Sequence, residues 1–281
     1  MKQITTISEL QDRIRELRKT GRSIGFVPTM GALHEGHLSL VEQCLKKGDL
    51  CVTSIYVNPT QFNDKNDLRN YPRDPDRDCS MLQKAGCAIA FLPSDEEMYP
   101  EPDTREFSFG EMGNVMEGKH RPGHFNGVAQ IVTRLFDAVG ADRAYFGMKD
   151  FQQLAIIRKL VADLNYPIEI IGCPIVRETD GLAMSSRNQL LGNEYRREAP
   201  LIYHCLKEVR SRIKNSSVPE IKAYVENTFK NHPLLQLEYF EIVESDSLHP
   251  ITNITSKKRL SACIAVFAGN VRLIDNVEII L

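Results

Sequence analysis

Apolar positions recur in two rhythms along this chain. In "ISELQDRIRELRKT", Ile7, Leu10, Ile14 and Leu17 fall at helical spacing, which predicts a helix over residues 7–20 with Ser8 as its cap. A short apolar strand, "SIGFVPT", follows Gly21, and helix-like "LSLVEQCLKK", strand-like "DLCVTSIYVNP", helix-like "DPDRDCSMLQKAG" and strand-like "CAIAFLP" come after it. The alternation resumes with a helix over residues 125–139, the strand "RAYFG", a helix in "DFQQLAIIRKLVADL" and the strand "IEIIGCPIV". These strand-like runs are apolar without a polar alternate, so both faces are buried, and strands of that kind alternating with helices form parallel sheets. The predicted class is α/β, a Rossmann-like doubly wound parallel sheet, with ligands beyond the carboxyl ends of its strands.

Near residue 177 the character changes. "RETDGLAMSSRNQLL" is polar and rich in small residues, as a linker or an active-site loop is. Two helical stretches follow, near residues 193–213 and 218–231, and then the strands "LEYFEIVES", "LSACIAVFAGN" and "VRLIDNVEI". The expected division is one domain over residues 1–178 and a smaller C-terminal α+β domain over residues 179–281.

Composition narrows the function classes. The chain has 281 residues, is 42% hydrophobic and 26% charged, and carries a formal net charge of -2, so it can bury a core but has no electrostatic footprint for nucleic acid. Neither a signal-peptide apolar region nor a run long enough to span a membrane occurs. Seven scattered cysteines without a CxxC pair read as free thiols of a reducing compartment, and a cytoplasmic location is expected.

The chemistry gathers in "FVPTMGALHEGHLSL", residues 26–40, where two histidines flank a glycine as a strand gives way to a helix. A zinc site would want a third ligand, and no His, Cys pair or HExxH stands nearby. Two polar loop histidines without chemistry are the plain alternative. Gly31 and Gly36 permit close backbone approach, however, and the helix start attracts phosphate; two imidazoles beside it donate to phosphate oxygens and stabilise developing charge. No Walker A motif or GxGxxG is present, which argues against P-loop kinases and dinucleotide oxidoreductases.

The order strand, H-x-G-H, helix resembles the signature of the nucleotidylyltransferase superfamily. Together "PTMGALHEGHLSL", "VNPTQF", "YPR", "RPGHFNGVAQIVTRLF", "FGMKDFQQL" and "VRETDGLAMSSRNQLL" resemble the pantoate–β-alanine ligase (pantothenate synthetase) family, in its order and approximate spacing. The resemblance implies an ATP-dependent ligase that joins pantoate to β-alanine through pantoyl adenylate, releasing pyrophosphate and AMP. It further implies that residues 1–178 bind ATP and pantoate and that residues 179–281 act as a lid. A homodimer is implied as well.

By the same resemblance His34, His37, Lys149, Ser185 and Arg187 would be catalytic. ATP would lie along Met30, Gly31, Ala32, Leu33, His34, Glu35, Gly36 and His37, along Gly147, Met148, Lys149 and Asp150, and along Val176, Met184, Ser185, Ser186 and Arg187. Gln61 and Gln153 would hold pantoate, while Asn58, Tyr71, Arg121 and His124 fall in matching motifs as wall or support. On the residues alone, Lys149 is a point charge able to reach phosphates and Asp150 a cap for the next helix. Mg²⁺ is expected with ATP, but its protein ligands stay unassigned. Where the family often shows paired acids after "YPR", this chain has "DPDRDC" with Arg77 beside Asp78, which leaves Asp78 a weak candidate ligand.

Overall fold

The strand Ile24–Thr29 (β2) sends Phe26 to one apolar cluster and Val27 to another, because successive side chains of a strand point to opposite faces. Both clusters are buried, so the sheet has helices on each side. The computed structural model describes residues 1–254 and 259–279. With β2, the strands Lys2–Ile4 (β1), Leu50–Ile55 (β3), Ile89–Phe91 (β4), Arg143–Gly147 (β5) and Glu169–Cys173 (β6) form one sheet in the order β1-β4-β3-β2-β5-β6, parallel at every pairing. Helices Ile7–Arg18, His124–Val139 and Phe151–Asp163 cover one face, and Glu35–Lys46 and Pro75–Lys84 the other.

From β2 the chain winds outward through β3 and β4, then returns to place β5 and β6 on the opposite flank. The crossovers therefore diverge between β2 and β5, which opens a crevice at the carboxyl ends of those two strands. The histidine loop leaves β2 there, and Gly147–Asp150 leaves β5.

The second sheet is antiparallel, Leu235–Glu244 (β7), Leu260–Ala268 (β8) and Val271–Ile279 (β9) in that order, and it packs on helices Leu201–Arg212 and Val218–Lys230 around a core of its own. All seven cysteines are free and buried. Among the described residues no helix is long and apolar enough to cross a membrane.

Several boundaries differ from expectation for local reasons. The first helix ends at Arg18, and Thr6 caps it instead of Ser8, because Thr6 is the extended residue whose hydroxyl accepts the Glu9 N–H at 3.4 Å. The stretch 193–213 is two helices, Asn193–Glu198 and Leu201–Arg212, divided at Pro200, which has no N–H to continue the ladder. The expected loop at 177–191 is a tight hairpin, with Glu178 N–H donating to Leu182 O (2.8 Å) and Met184 N–H to Val176 O (3.0 Å). A 3₁₀ turn, Ser186–Leu190, follows it.

Candidate active site

Past Thr29 the chain makes a left-handed turn, with φ of 78° at Gly31 and 48° at Ala32. A non-glycine residue rarely adopts that conformation unless something holds it. Asp78, only 1% exposed on the Pro75–Lys84 helix, holds it by accepting the N–H groups of Ala32 and Leu33, each at 2.8 Å. A Cβ at Gly31 would come within 2.9 Å of an Asp78 carboxylate oxygen, so this close approach requires glycine. Leu33 fills the core behind the turn.

His34 is then the N-cap of the Glu35–Lys46 helix. Its Nδ1 accepts the Gly36 N–H at 3.1 Å, and the Nδ1 of His37 accepts the His34 N–H at 3.4 Å. A ring nitrogen that accepts from a backbone N–H carries no proton, so the neutral proton sits on Nε2 in both rings. The rings lie with centroids 4.1 Å apart. Burial, then Lys149, lowers the His34 pKa to about 4; burial and the neighbouring His34 push His37 well below its ordinary value. Both imidazoles are thus neutral N–H donors at pH 7, unfit as proton acceptors there but suited to an oxyanion.

Lys149 follows β5, and its ammonium lies 3.3 Å from both carboxylate oxygens of Asp150. Asp150 occupies the N-cap position of the next helix without a side-chain cap bond, contrary to the plain expectation, because its carboxylate faces the ammonium. From the hairpin end, the Ser185 hydroxyl accepts the Arg187 N–H (3.3 Å), and the Ser186 hydroxyl donates to Ala32 O (3.0 Å), tying this turn to the histidine loop. The Arg187 guanidinium grips the Asp67 carboxylate at 2.8 and 3.3 Å and lies 5.6 Å from the centre of the Tyr71 ring.

On the opposite wall Gln61 closes a 3₁₀ turn against the His124–Val139 helix. Gly127 permits that contact, since a Cβ there would sit 2.4 Å from Thr60 O. Among the described residues the Gln61 side chain donates to the Met30 sulfur (3.1 Å), a weak acceptor, and accepts from Asn58 (3.2 Å). Behind it, His124 donates from Nδ1 to Gln61 O (2.8 Å), while its Nε2 accepts from Arg121 (3.1 Å); a carbonyl can only accept, which fixes this tautomer. Burial, then Arg121, brings the His124 pKa down to about 4. Arg121 and His124 therefore brace the Gln61 backbone. Gln153 faces the cavity from the Phe151–Asp163 helix, whereas its neighbour Gln152 is buried and engaged with Met112 O, Val115 O and the Glu117 N–H.

One cavity gathers Met30, His34, Gly36, His37, Asn58, Gln61, Tyr71, Gly147, Lys149, Asp150, Gln153, Val176, Met184, Ser185, Ser186 and Arg187. Much of its remaining wall is apolar, with Val128, Ile131, Val132, Leu135 and Phe146. Gly31, Ala32, Leu33, Glu35 and Met148 are not on that wall. The first three are buried beneath the loop they shape, Glu35 points to solvent from the first helical turn, and Met148 packs on the core. Asp78 does not line that cavity; each of its oxygens accepts a loop amide instead. Among the described residues no group of three or more His, Cys, Asp or Glu side chains could hold a metal ion. Periodicity and motif also gave no sign of Asn276, whose side-chain amide reaches Met148 O (2.9 Å) and Lys149 O (3.0 Å) from β9.

A sequence model of the pantoate-beta-alanine ligase family matches residues 2–278. The chain belongs to that family. Within the pantoate-beta-alanine ligase family, it is 54% identical over 278 residues to the pantothenate synthetase of Bacteroides thetaiotaomicron, covering 99% of each chain. To that of Porphyromonas gingivalis it is 50% identical over 279 residues, again 99% of each. The pantothenate synthetase structure from Thermus thermophilus superposes with a TM-score of 0.93 at 41% identity, over 100% of both chains. A pantoate-beta-alanine ligase from Francisella tularensis, complexed with beta-gamma ATP and beta-alanine, superposes with a TM-score of 0.81 at 32% identity, over 99% of this chain and 97% of that one.

Proposed function

We propose that this protein condenses pantoate with β-alanine, driven by cleavage of ATP. A pantoate carboxylate oxygen attacks the α-phosphorus, the bond to the β-phosphate breaks, and pyrophosphate leaves. The β-alanine amine then attacks the acyl carbon of pantoyl adenylate, loses a proton, and AMP departs to leave pantothenate. Family membership supports this reading. The observation that carries it is the convergence, in one cavity, of two neutral imidazoles, an ammonium and a guanidinium opposite the amides Gln61 and Gln153.

Each part suits a step. His34 and His37 present Nε2–H donors whose orientation the backbone has already fixed, so they stabilise charge growing on the phosphate without reorganising. Lys149 and Arg187 supply full charges, with Ser185 beside them for the departing pyrophosphate. Gln61, held at its backbone but weakly bound at its side chain, is free to exchange Met30 for a substrate hydroxyl or carboxylate, with Gln153 as its partner. The apolar wall from Val128 to Phe146 fits the dimethyl carbon of pantoate.

Mg²⁺ would enter with ATP as part of the substrate, consistent with the lack, among the described residues, of a cluster able to hold a resident ion. Residues 1–178 serve as the ATP and pantoate domain and residues 179–281 as a lid; two sheets with separate cores support that division. A homodimer is supported by β6, an edge strand of the parallel sheet, since exposed edges are normally covered. Seven free buried thiols support a cytoplasmic location.

The test is ATP–pyrophosphate exchange with each substrate omitted in turn. Exchange should require pantoate and not β-alanine, while AMP release should require both. Exchange that depends on the amine would contradict a separate adenylate step.

A further inference from the structure

We infer that Asn276, on β9 of the second sheet, is a positioning residue for Lys149. The inference rests on the role given to Lys149 above. Where β5 ends, the first sheet stops supplying partners: the ladder with β6 closes at Gly147 and Cys173, and the last bond is Met148 N–H to Cys173 O at 2.8 Å. The carbonyls of Met148 and Lys149 lie beyond it. One amide nitrogen, that of Asn276, reaches both, at 2.9 and 3.0 Å. Two bonds from a single planar group to consecutive carbonyls fix the orientation of the peptide between them.

Apart from the Met148 N–H bond and the pair of the Lys149 ammonium with the partly exposed Asp150 carboxylate, these two bonds are what hold the turn among the described residues. Asp150 makes no side-chain cap for the helix that follows, and the Lys149 ammonium sits on a flexible four-carbon stem. Asn276, by contrast, is firmly set. It is only 5% exposed, and its neighbour Asp275 binds Arg177 through two bonds at 2.6 and 2.9 Å. Arg177 in turn stacks 3.7 Å from the centre of the Tyr203 ring. The second core thus reaches through β9 to the base of Lys149, so the second sheet takes part in setting the first half-reaction as well as covering it.

The experiment is pantoate-dependent ATP–pyrophosphate exchange on the full chain for Asn276→Ala, Asn276→Ser, Lys149→Ala and the double variant, with a thermal melt on each. A displacement of about 1 Å at a reacting centre costs on the order of 100-fold. Asn276→Ala is therefore expected to lower kcat for exchange by about 10- to 100-fold, with KM for ATP within about threefold of wild type. Asn276→Ser, whose hydroxyl ends one bond short of both carbonyls, should lose exchange to a similar degree. In the Lys149→Ala background, loss of Asn276 should add less than about twofold, because the two act as one unit. Equal exchange in Asn276→Ala and wild type, or losses that multiply in the double variant, would overturn the inference. If the Ala variant melts below assay temperature, the Ser variant and its own double carry the same comparison. Slow exchange in Lys149→Ala with normal exchange in Asn276→Ala removes the inference alone; normal exchange in Lys149→Ala removes the role of Lys149 and the inference with it.

Discussion

Asp78 offers a prediction whose size follows from the structure. Its carboxylate holds two amide donors at 2.8 Å under a turn that is left-handed at two successive residues. Asp78→Ala leaves the N–H groups of Ala32 and Leu33 without partners, and both residues are buried, at 2% and 0% exposure. An orphaned buried donor costs about 1–3 kcal/mol, so the pair costs about 2–6. Part of that is returned, because the variant no longer buries a charge, the same burial that raises the Asp78 pKa against the pull of the two amides and Arg77. A net destabilisation of about 2–4 kcal/mol is expected. Asp78→Asn keeps one acceptor but turns an amide donor toward the second N–H, and should lose about 1–3 kcal/mol. Urea unfolding with an unchanged m-value measures both. Pantoate-dependent exchange, assayed where the variants remain folded, should fall as well, because the histidine loop loses its support. Midpoints equivalent to a loss below about 0.5 kcal/mol in both variants would refute the assignment of Asp78 as the anchor of the turn.

Other expectations follow from the same geometry. His37→Ala should slow adenylate formation by about 2–4 kcal/mol, as loss of one oriented donor does, while ATP affinity measured by calorimetry changes little; comparable losses in both would count against a transition-state role. His34 binds a proton less readily folded, at about 4, than unfolded, near 6.5, so the unfolded chain takes up protons first as pH falls. Stability should therefore be full above about pH 6.5 and decline from there toward about pH 4. A His34→Asn variant with the same pH slope as wild type would contradict this. Asp67→Asn frees Arg187 from a partly exposed pair worth about 0–1 kcal/mol, so KM for ATP should drop by no more than about fivefold, and a rise would show that Asp67 helps the nucleotide bind.

Much of the first sheet was legible because β2, β3, β5 and β6 are short apolar runs set between helices of clear period. Strand β1 was not, since three residues, Lys2–Ile4, carry no period of their own and pair only because β4 lies beside them. Pro200 marks the helix break plainly in retrospect, yet the apolar spacing runs straight across it. In the candidate site, residues marked by their own motif were readable: H-x-G-H, "GMKD" and "MSSRN" each bring several side chains to the cavity. Residues that act by supporting others were not. Asp78 looks like a possible metal ligand in "DPDRDC" until its two amide partners, 45 and 46 positions away, come into view. Asn276 lies 127 positions from Lys149, and nothing local distinguishes it from any asparagine on a strand. Leu33 sits inside the histidine motif yet serves the core, because the left-handed turn held by Asp78 carries it under the loop.

The sealed thiols give the molecule its own reporters. Burial raises the pKa values of Cys173, Cys205 and Cys263, and hydrogen bonds with neighbouring thiols, joined by burial, raise those of Cys51 and Cys87. Alkylating reagents should therefore leave the native chain unmarked and modify it only when a segment opens. Five sulfurs lie with the parallel sheet, Cys205 lies in the second core, and Cys263 lies where the second sheet packs on Met116 and Phe151. Mass-resolved labelling over time would thus time the opening of each core and of the seam between them without any probe having to be engineered in.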